Sequence, residues 1–213
     1  MLPINLKLKR KVHKDIAYAQ DLIVESIYEF FPNAVLHGGT AIWRCYSGNR
    51  FSEDIDVYIA KDKEKINKIF DSLEKKGFQI NKKRIKENSL YSTLEFNATI
   101  VRFEALFKSI KKPFLKEYEN SEGILINVFT LSPKDLIKEK MAAYLKRKKI
   151  RDLYDLFFLL RHIKDRTEVD IHLKSFIKNF ASPVDEQNLK TIIISGLIPS
   201  SKNMLDYIKR WAK

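Results

Sequence analysis

Between Asp54 and Ile59 the chain reads Asp-Ile-Asp-Val-Tyr-Ile, polar at one parity and apolar at the other. This is the signature of a half-buried strand, because successive side chains leave a β-strand on opposite faces. Two constraints follow. Ile55, Val57 and Ile59 must enter a core, so a sheet with one covered face has to exist. Asp54 and Asp56 must then project side by side from the other face. Adjacent carboxylates repel each other, and a dication is the usual reason to keep both ionised.

The residues just upstream sharpen this reading. Ala34 to His37 is a short apolar strand candidate leading into Gly38 and Gly39, Thr40 to Tyr46 fits a helix, and Ser47 to Asn49 a loop. Glycines at a helix start let backbone N–H groups approach a triphosphate, and the helix dipole favours the anion there. The Thr40 hydroxyl is a candidate donor to a phosphate oxygen. Taken alone, an Asp-x-Asp is most often the exposed face of an edge strand and a Gly-Gly most often a turn. The order strand, Gly-Gly-Thr, helix, Asp-x-Asp strand is far more specific than either part.

Elsewhere the chain alternates between helical and strand periodicity. Asp15 to Phe31 carries Ile16, Ala19, Ile23, Ile27 and Phe30 at helical spacing and stops at Pro32. Lys63 to Lys76 is helical and ends at Gly77. Strand candidates follow at Phe78 to Ile85, Leu90 to Asn97 and Ile100 to Phe107, with Ile124 to Phe129 as another. Beyond Ser132, a plausible N-cap with Pro133 behind it, the texture becomes helical. One helix runs to about Lys148, a second from Arg151 to about His162, and more fall in the last 45 residues. A strand at Thr191 to Ile194 is the one exception considered. The expected organisation is an α/β (α+β) domain with a mixed sheet over residues 1–130, followed by a helical C-terminal domain over 131–213.

The order Gly-Gly-Thr, helix, Asp-x-Asp strand resembles the nucleotidyltransferase superfamily, and that resemblance implies a third carboxylate on a neighbouring strand. Glu104 is the first choice and Glu95 its competitor; either also reads as a solvent-facing strand residue.

Composition bounds the partners. With 40 Lys and Arg against 27 Asp and Glu, the chain carries a formal charge of +13 and an isoelectric point near 9.6. Such an excess attracts polyanions, of which nucleic acid is the commonest in a cell, although basic proteomes also yield basic chains with no such partner. Lys134 to Arg151, Asn81 to Lys86 and Lys108 with Lys111 and Lys112 concentrate the charge into patches that would make an RNA track with salt-sensitive affinity. Tyr91, Tyr118 and Tyr144 are candidate base-stacking residues, with nothing in the sequence to separate them. A single cysteine, Cys45, excludes an intrachain disulfide and reads as core. No apolar run is long enough to span a bilayer, and neither end reads as a signal peptide. A cytoplasmic protein is expected.

His37-Gly38-Gly39-Thr40-Ala41 followed by Arg50-x-Ser52-x-Asp54-Ile55-Asp56 resembles the nucleotidyltransferase superfamily. Within it the match is to the AbiEii/AbiGii toxin family, relatives of the MenT toxins. A second block agrees: Leu131-Ser132 opens a helix with Lys140-x-x-Ala143, then Arg147 and Arg151-Asp152-Leu153-Tyr154-Asp155-Leu156. The resemblance covers roughly residues 34 to 160. It implies the nucleotidyltransferase fold and transfer of NMP from an NTP to an acceptor, with tRNA leading, using Mg²⁺ (two ions) at Asp54, Asp56 and Glu104. It further implies nucleotide contacts from Gly38, Gly39, Thr40, Arg50, Ser52 and Lys140, catalytic roles for Lys140 and Asp152, and a toxin restrained by an antitoxin. Asp152 could orient Lys140 or bind the acceptor, and Asp155 could fix Arg151 in a structural pair. The alternative is a catalytically silent nucleotide- or RNA-binding module of a two-protein system.

Overall fold

The computed structural model describes residues 3–212, so the outermost ends of the two expected domains, residues 1–2 and 213, lie outside the described residues. Its chain contacts divide it into two compact units: residues up to Ser47 with Phe51–Thr130, and Gly48–Arg50 with the chain from Leu131 onward.

The first unit contains α1 (Ile4–Lys7), α2 (Lys11–Phe30), β1 (Val35–His37), α3 (Gly38–Cys45), β2 (Asp54–Ile59), α4 (Lys63–Lys75), β3 (Gln79–Ile85), β4 (Ser89–Phe96), β5 (Thr99–Phe107), β6 (Phe114–Glu119) and β7 (Leu125–Thr130). The strands form one seven-stranded sheet in the order β3-β4-β5-β2-β1-β7-β6. It is mixed: β2 with β5 and β1 with β7 are parallel, and the other neighbours are antiparallel.

Burial alternates as the period-two rule requires. Ile55, Val57, Leu90, Ser92, Leu94, Val101, Phe103 and Ala105 are buried, whereas Asp54, Asp56, Tyr91, Thr93, Arg102 and Glu104 are half-buried. The apolar face is covered by helices: Phe70 of α4 meets Phe103 of β5 at 6.1 Å between ring centroids, and α2 lies against both α4 and β5. The polar residues therefore sit together on the opposite face.

Local signals explain the helix limits. Asp62 caps α4 by accepting from Lys65 N–H at 3.0 Å, and Gly77 ends the turn beyond it at φ +92°. Helix α2 begins four residues earlier than its apolar periodicity suggests, because Lys11 to Lys14 add a basic turn that solvent accommodates. Strand β6 escapes the sequence reading because Phe-Leu-Lys-Glu-Tyr-Glu has no clean alternation; as an edge strand it leaves Phe114 and Leu115 exposed.

The second unit is helical: α5 (Pro133–Arg147), α6 (Ile150–Leu159), α7 (Asp170–Lys178), α8 (Leu189–Ile192) and α9 (Ser201–Trp211). Ser132 caps α5 by accepting from Asp135 N–H at 3.2 Å, with Pro133 at the first helical position. Leu136, Tyr144, Leu153, Leu156, Phe176, Met204 and Ile208 fill its core. The strand considered at Thr191–Ile194 is instead the end of α8 and a single antiparallel bridge from Ile193 to Arg50. That bridge, with Ile194 N–H donating to the Asn49 carbonyl at 2.8 Å, draws Gly48–Arg50 into this unit. No described helix is long and apolar enough to cross a membrane.

Candidate active site

The sheet's polar face is built by register. Asp56 pairs with Glu104 and Asp54 with Arg102 across the parallel β2/β5 ladder, so all four side chains leave the same face. Glu95 pairs with Ile100 instead, nearer the far end of β4, where it accepts from Asn81 Nδ2 at 2.9 Å. Of the two candidates for a third carboxylate, Glu104 is the one beside Asp56.

Gly38 opens α3 at φ +71°, a backbone conformation that L side chains rarely adopt. A Cβ there would collide with Asp56 Oδ2, so the missing side chain is what lets the turn lie against the carboxylate. Gly39 follows, buried in the first turn. Helix α3 is held by a network the sequence reading missed. Arg44, 2% exposed, donates to the Ala17 and Glu119 carbonyls at 2.8 and 3.1 Å and to Asp21 Oδ1 at 3.1 Å. Tyr118 Oη and Ser121 N–H donate to the same Asp21 at 2.8 and 2.7 Å. The available signal was Arg44 as the one charged residue of helix α3.

Thr40 is fully buried, and its hydroxyl donates to the Asp54 carbonyl while accepting from Gln20 Nε2 at 3.4 Å. The hydroxyl thereby ties α3 to β2. Gln20 also donates to the Ser52 carbonyl at 2.8 Å, and Ser52 is buried. His37 stacks on Tyr58 at 4.0 Å, and Trp43, Cys45 and Tyr46 are core. Burial pushes the Cys45 thiol up to about 12, so it is an unreactive core group.

Arg102 is the other residue whose role the sequence hid. Its Nε and Nη2 donate to Asp54 Oδ1 and Oδ2 at 2.7 Å each. Partial burial lowers its proton affinity, but the bonded Asp54 carboxylate more than compensates, and it titrates above an ordinary arginine. Among the described residues no three His, Cys, Asp or Glu side chains gather tightly enough to hold a metal ion by themselves. Mg²⁺, however, needs only one or two protein carboxylates when phosphate oxygens complete its shell. The donors here are all hard oxygens, the Gly38 turn makes room for Asp56, and the Arg102 guanidinium already stands as a cation on Asp54. The residues fit such an ion.

In the helical unit a second charged cluster is built around the buried carboxylates of Asp152 and Asp155. Arg50, 6% exposed, donates from Nε and Nη2 to Asp155 Oδ1 and Oδ2 at 2.8 Å each. Lys140 Nζ lies 2.7 Å from Asp155 Oδ2 and 3.8 Å from Asp152 Oδ1, and Arg147 donates to Asp152 at 2.6 and 2.7 Å. Burial alone would raise the Asp155 carboxyl, but Arg50 and Lys140 overcome it and hold it below the usual carboxylate range. The sequence pairing of Asp155 with Arg151 is replaced by Arg50, 105 residues away, and Asp155 rather than Asp152 is the direct partner of Lys140. Arg50 is here a buried tie to Asp155.

Comparisons with known proteins agree with this architecture. JHP933 from Helicobacter pylori, a crystal structure, aligns with a TM-score of 0.66 at 17% identity, covering 95% of this chain and 91% of that one. A second H. pylori crystal structure, provisionally assigned as a nucleotidyltransferase, aligns with a TM-score of 0.67 at 18% identity, covering 95% and 96%. At such identities the likeness is one of fold. No curated protein matches. The sequence profile described as "Nucleotidyl transferase AbiEii toxin, Type IV TA system" matches residues 21–198, the greater part of the chain and both charged clusters. The chain therefore belongs to the AbiEii nucleotidyl transferase toxin family of type IV toxin–antitoxin systems.

Proposed function

We propose that the chain transfers NMP from an NTP to the 3′ end of an RNA, with tRNA as the leading acceptor. In that reaction the acceptor 3′-hydroxyl gives up its proton to solvent as its oxygen bonds to the α-phosphorus, the bond from that phosphorus to the oxygen bridging to the β-phosphorus breaks, and pyrophosphate leaves. The observation that carries this reading is the register that sets Glu104 beside Asp56 while Gly38 admits the Asp56 carboxylate to the α3 turn. Asp54, Asp56 and Glu104 would hold Mg²⁺, which supplies charge neutralisation at the phosphates and activation of the hydroxyl. The backbone N–H groups at the start of α3 would take the phosphate tail. Thr40 ties this turn to β2, and Gln20 links it to the Ser52 carbonyl. Lys140 and Asp152 are proposed as catalytic groups of the second unit, with Asp155 and Arg50 positioning Lys140. Growth inhibition released by an antitoxin is the corresponding physiology.

One observation favours the competing reading of a silent nucleotide- or RNA-binding module: Arg102 already neutralises Asp54. A single experiment separates the two. Purified protein is incubated with Mg²⁺, each labelled NTP in turn and total tRNA. Label on tRNA with wild type and none with Asp56→Ala supports transfer. Nucleotide or RNA binding without incorporation from any NTP supports the module.

A further inference from the structure

We propose that the acceptor's single-stranded RNA crosses the polar face of the sheet from its β3 edge to the Asp54/Asp56 carboxylates, with Tyr91 as its base-stacking platform. The inference rests on the reading of RNA as acceptor. It comes from two rows of cross-strand neighbours. One runs Arg84, Tyr91, Glu104, Asp56 and the other Lys82, Thr93, Arg102, Asp54, each crossing β3, β4, β5 and β2 in order. Neighbouring strands lie ~4.8 Å apart, so each row is about 14 Å long.

The rows are graded in charge. Their outer ends, Lys82 and Arg84, are exposed cations, and their inner ends are the carboxylates. Tyr91 lies between, half-buried, with Lys82 Nζ 5.3 Å from its ring centroid and its hydroxyl 3.5 Å from Thr93 Oγ1. Lys83, between the two cations in sequence, turns to the helix-covered face, where its Nζ donates to Asn67 Oδ1 at 2.9 Å. The tyrosines that the sequence left equivalent are now separated. Tyr118 and Tyr144 are fully buried and donate to Asp21 and to the Ala181 carbonyl, leaving Tyr91 as the one of the three that can receive a base.

This arrangement matches what single-stranded nucleic acid requires: an aromatic surface for a base and cations spaced along the backbone. A strand whose phosphates follow Lys82 and Arg84 and whose base rests on Tyr91 would bring its 3′ end toward Asp56 and Glu104. The plainer explanation of lysines on an edge strand is protection against sheet-to-sheet pairing. That role asks nothing of Tyr91, which sits on an interior strand.

The test uses the whole chain and a fluorescein-labelled oligoribonucleotide of about ten nucleotides, read by anisotropy across a salt series. Tyr91→Leu should weaken binding about tenfold, within the range for loss of one stacked base, while Tyr91→Phe binds as wild type. Lys82→Gln with Arg84→Gln should flatten the slope of log affinity against log salt by about 1.4, or 0.7 for each lost phosphate contact. Wild-type affinity and slope in all these variants overturn the track. Incorporation of labelled NMP is measured in parallel. If the variants lose RNA affinity but wild type incorporates nothing, the track stands and the transferase reading falls. If wild type incorporates label and the variants keep its KM for RNA, the track alone falls.

Discussion

The same chemistry, an arginine gripping an aspartate with two parallel hydrogen bonds, occurs in both compact units, and the pairs Arg102–Asp54 and Arg50–Asp155 show it in opposite settings. On the sheet the Arg102 side chain is 42% exposed and that of Asp54 18%. In the helical unit the corresponding values for Arg50 and Asp155 are 6% and 1%. A water-accessible pair contributes about 0–1 kcal/mol and is screened by salt. Breaking a buried pair from one side strands a charge in low dielectric and costs about 3–5 kcal/mol. Asp54 can therefore exchange its partner for another cation at small cost, whereas Asp155 cannot. Exchangeable carboxylates suit a site that takes up and releases ligand; locked ones suit a frame.

The sharpest way to break this contrast is to remove a carboxylate from the sheet. Asp56→Ala should reduce transfer by about 10³, the loss expected when ~4 kcal/mol of transition-state charge stabilisation disappears. The midpoint of thermal unfolding should stay close to wild type, since Asp56 is half-buried at a glycine turn. A folded Asp56→Ala protein with full activity removes the carboxylates from the chemistry.

Asp155→Ala should do the reverse, destabilising the fold by about 3–5 kcal/mol in denaturant titrations because Arg50 and Lys140 are left buried without it. Its pH signature has a definite sign. The folded-state pKa of Asp155 is depressed, so its stabilisation is fully present above the ordinary carboxylate value of about 3.9 and is lost as pH falls through the lower folded value. Wild-type stability should drop on acidification below about pH 4, and Asp155→Asn should lose less over that interval. Equal acid sensitivity in the two proteins would mean that other carboxylates control the transition.

What the sequence disclosed follows the same division. Features set by local period were legible: the shared face of Asp54 and Asp56 from their alternation, a helix after the Gly38-Gly39 turn, which in the structure already begins at Gly38, and the α5 cap from Ser132-Pro133. Glu104 was reachable because one register shift in a strand moves every side chain to the other face, leaving few candidates. What stayed hidden was pairing across distance. Arg102 with Asp54, Arg50 with Asp155, and Arg44 with Asp21 are joined by tertiary packing, and nothing in local spacing marks them. The tie made by Thr40 was hidden for a related reason. A hydroxyl has one proton, and the partner that takes it, the Asp54 carbonyl, is a backbone atom that no motif names.

Gly38→Ala probes the boundary between frame and site. The positive φ alone should cost about 1–3 kcal/mol, and the added methyl must displace the Asp56 carboxylate. Activity should fall further than stability accounts for, seen as lost kcat in protein that remains folded by circular dichroism. If activity at full folding is unchanged, the turn and the carboxylate are not functionally coupled.

The smallest effect tests the exposed pair itself. If Arg102 is an exchangeable counter-cation on Asp54, an incoming dication must displace it, and Arg102→Gln should bind Mn²⁺ more tightly in the absence of nucleotide. The gain is bounded by the worth of an exposed pair, at most ~1 kcal/mol, or about fivefold. It should shrink as salt rises, because screening weakens the competition from Arg102 in wild type. Free Mn²⁺ counted by electron paramagnetic resonance reads this directly and needs no turnover. Weaker binding in Arg102→Gln would carry the opposite meaning: the guanidinium would then hold Asp54 in place for the ion, and the sheet's pair would belong with the buried one as part of the frame.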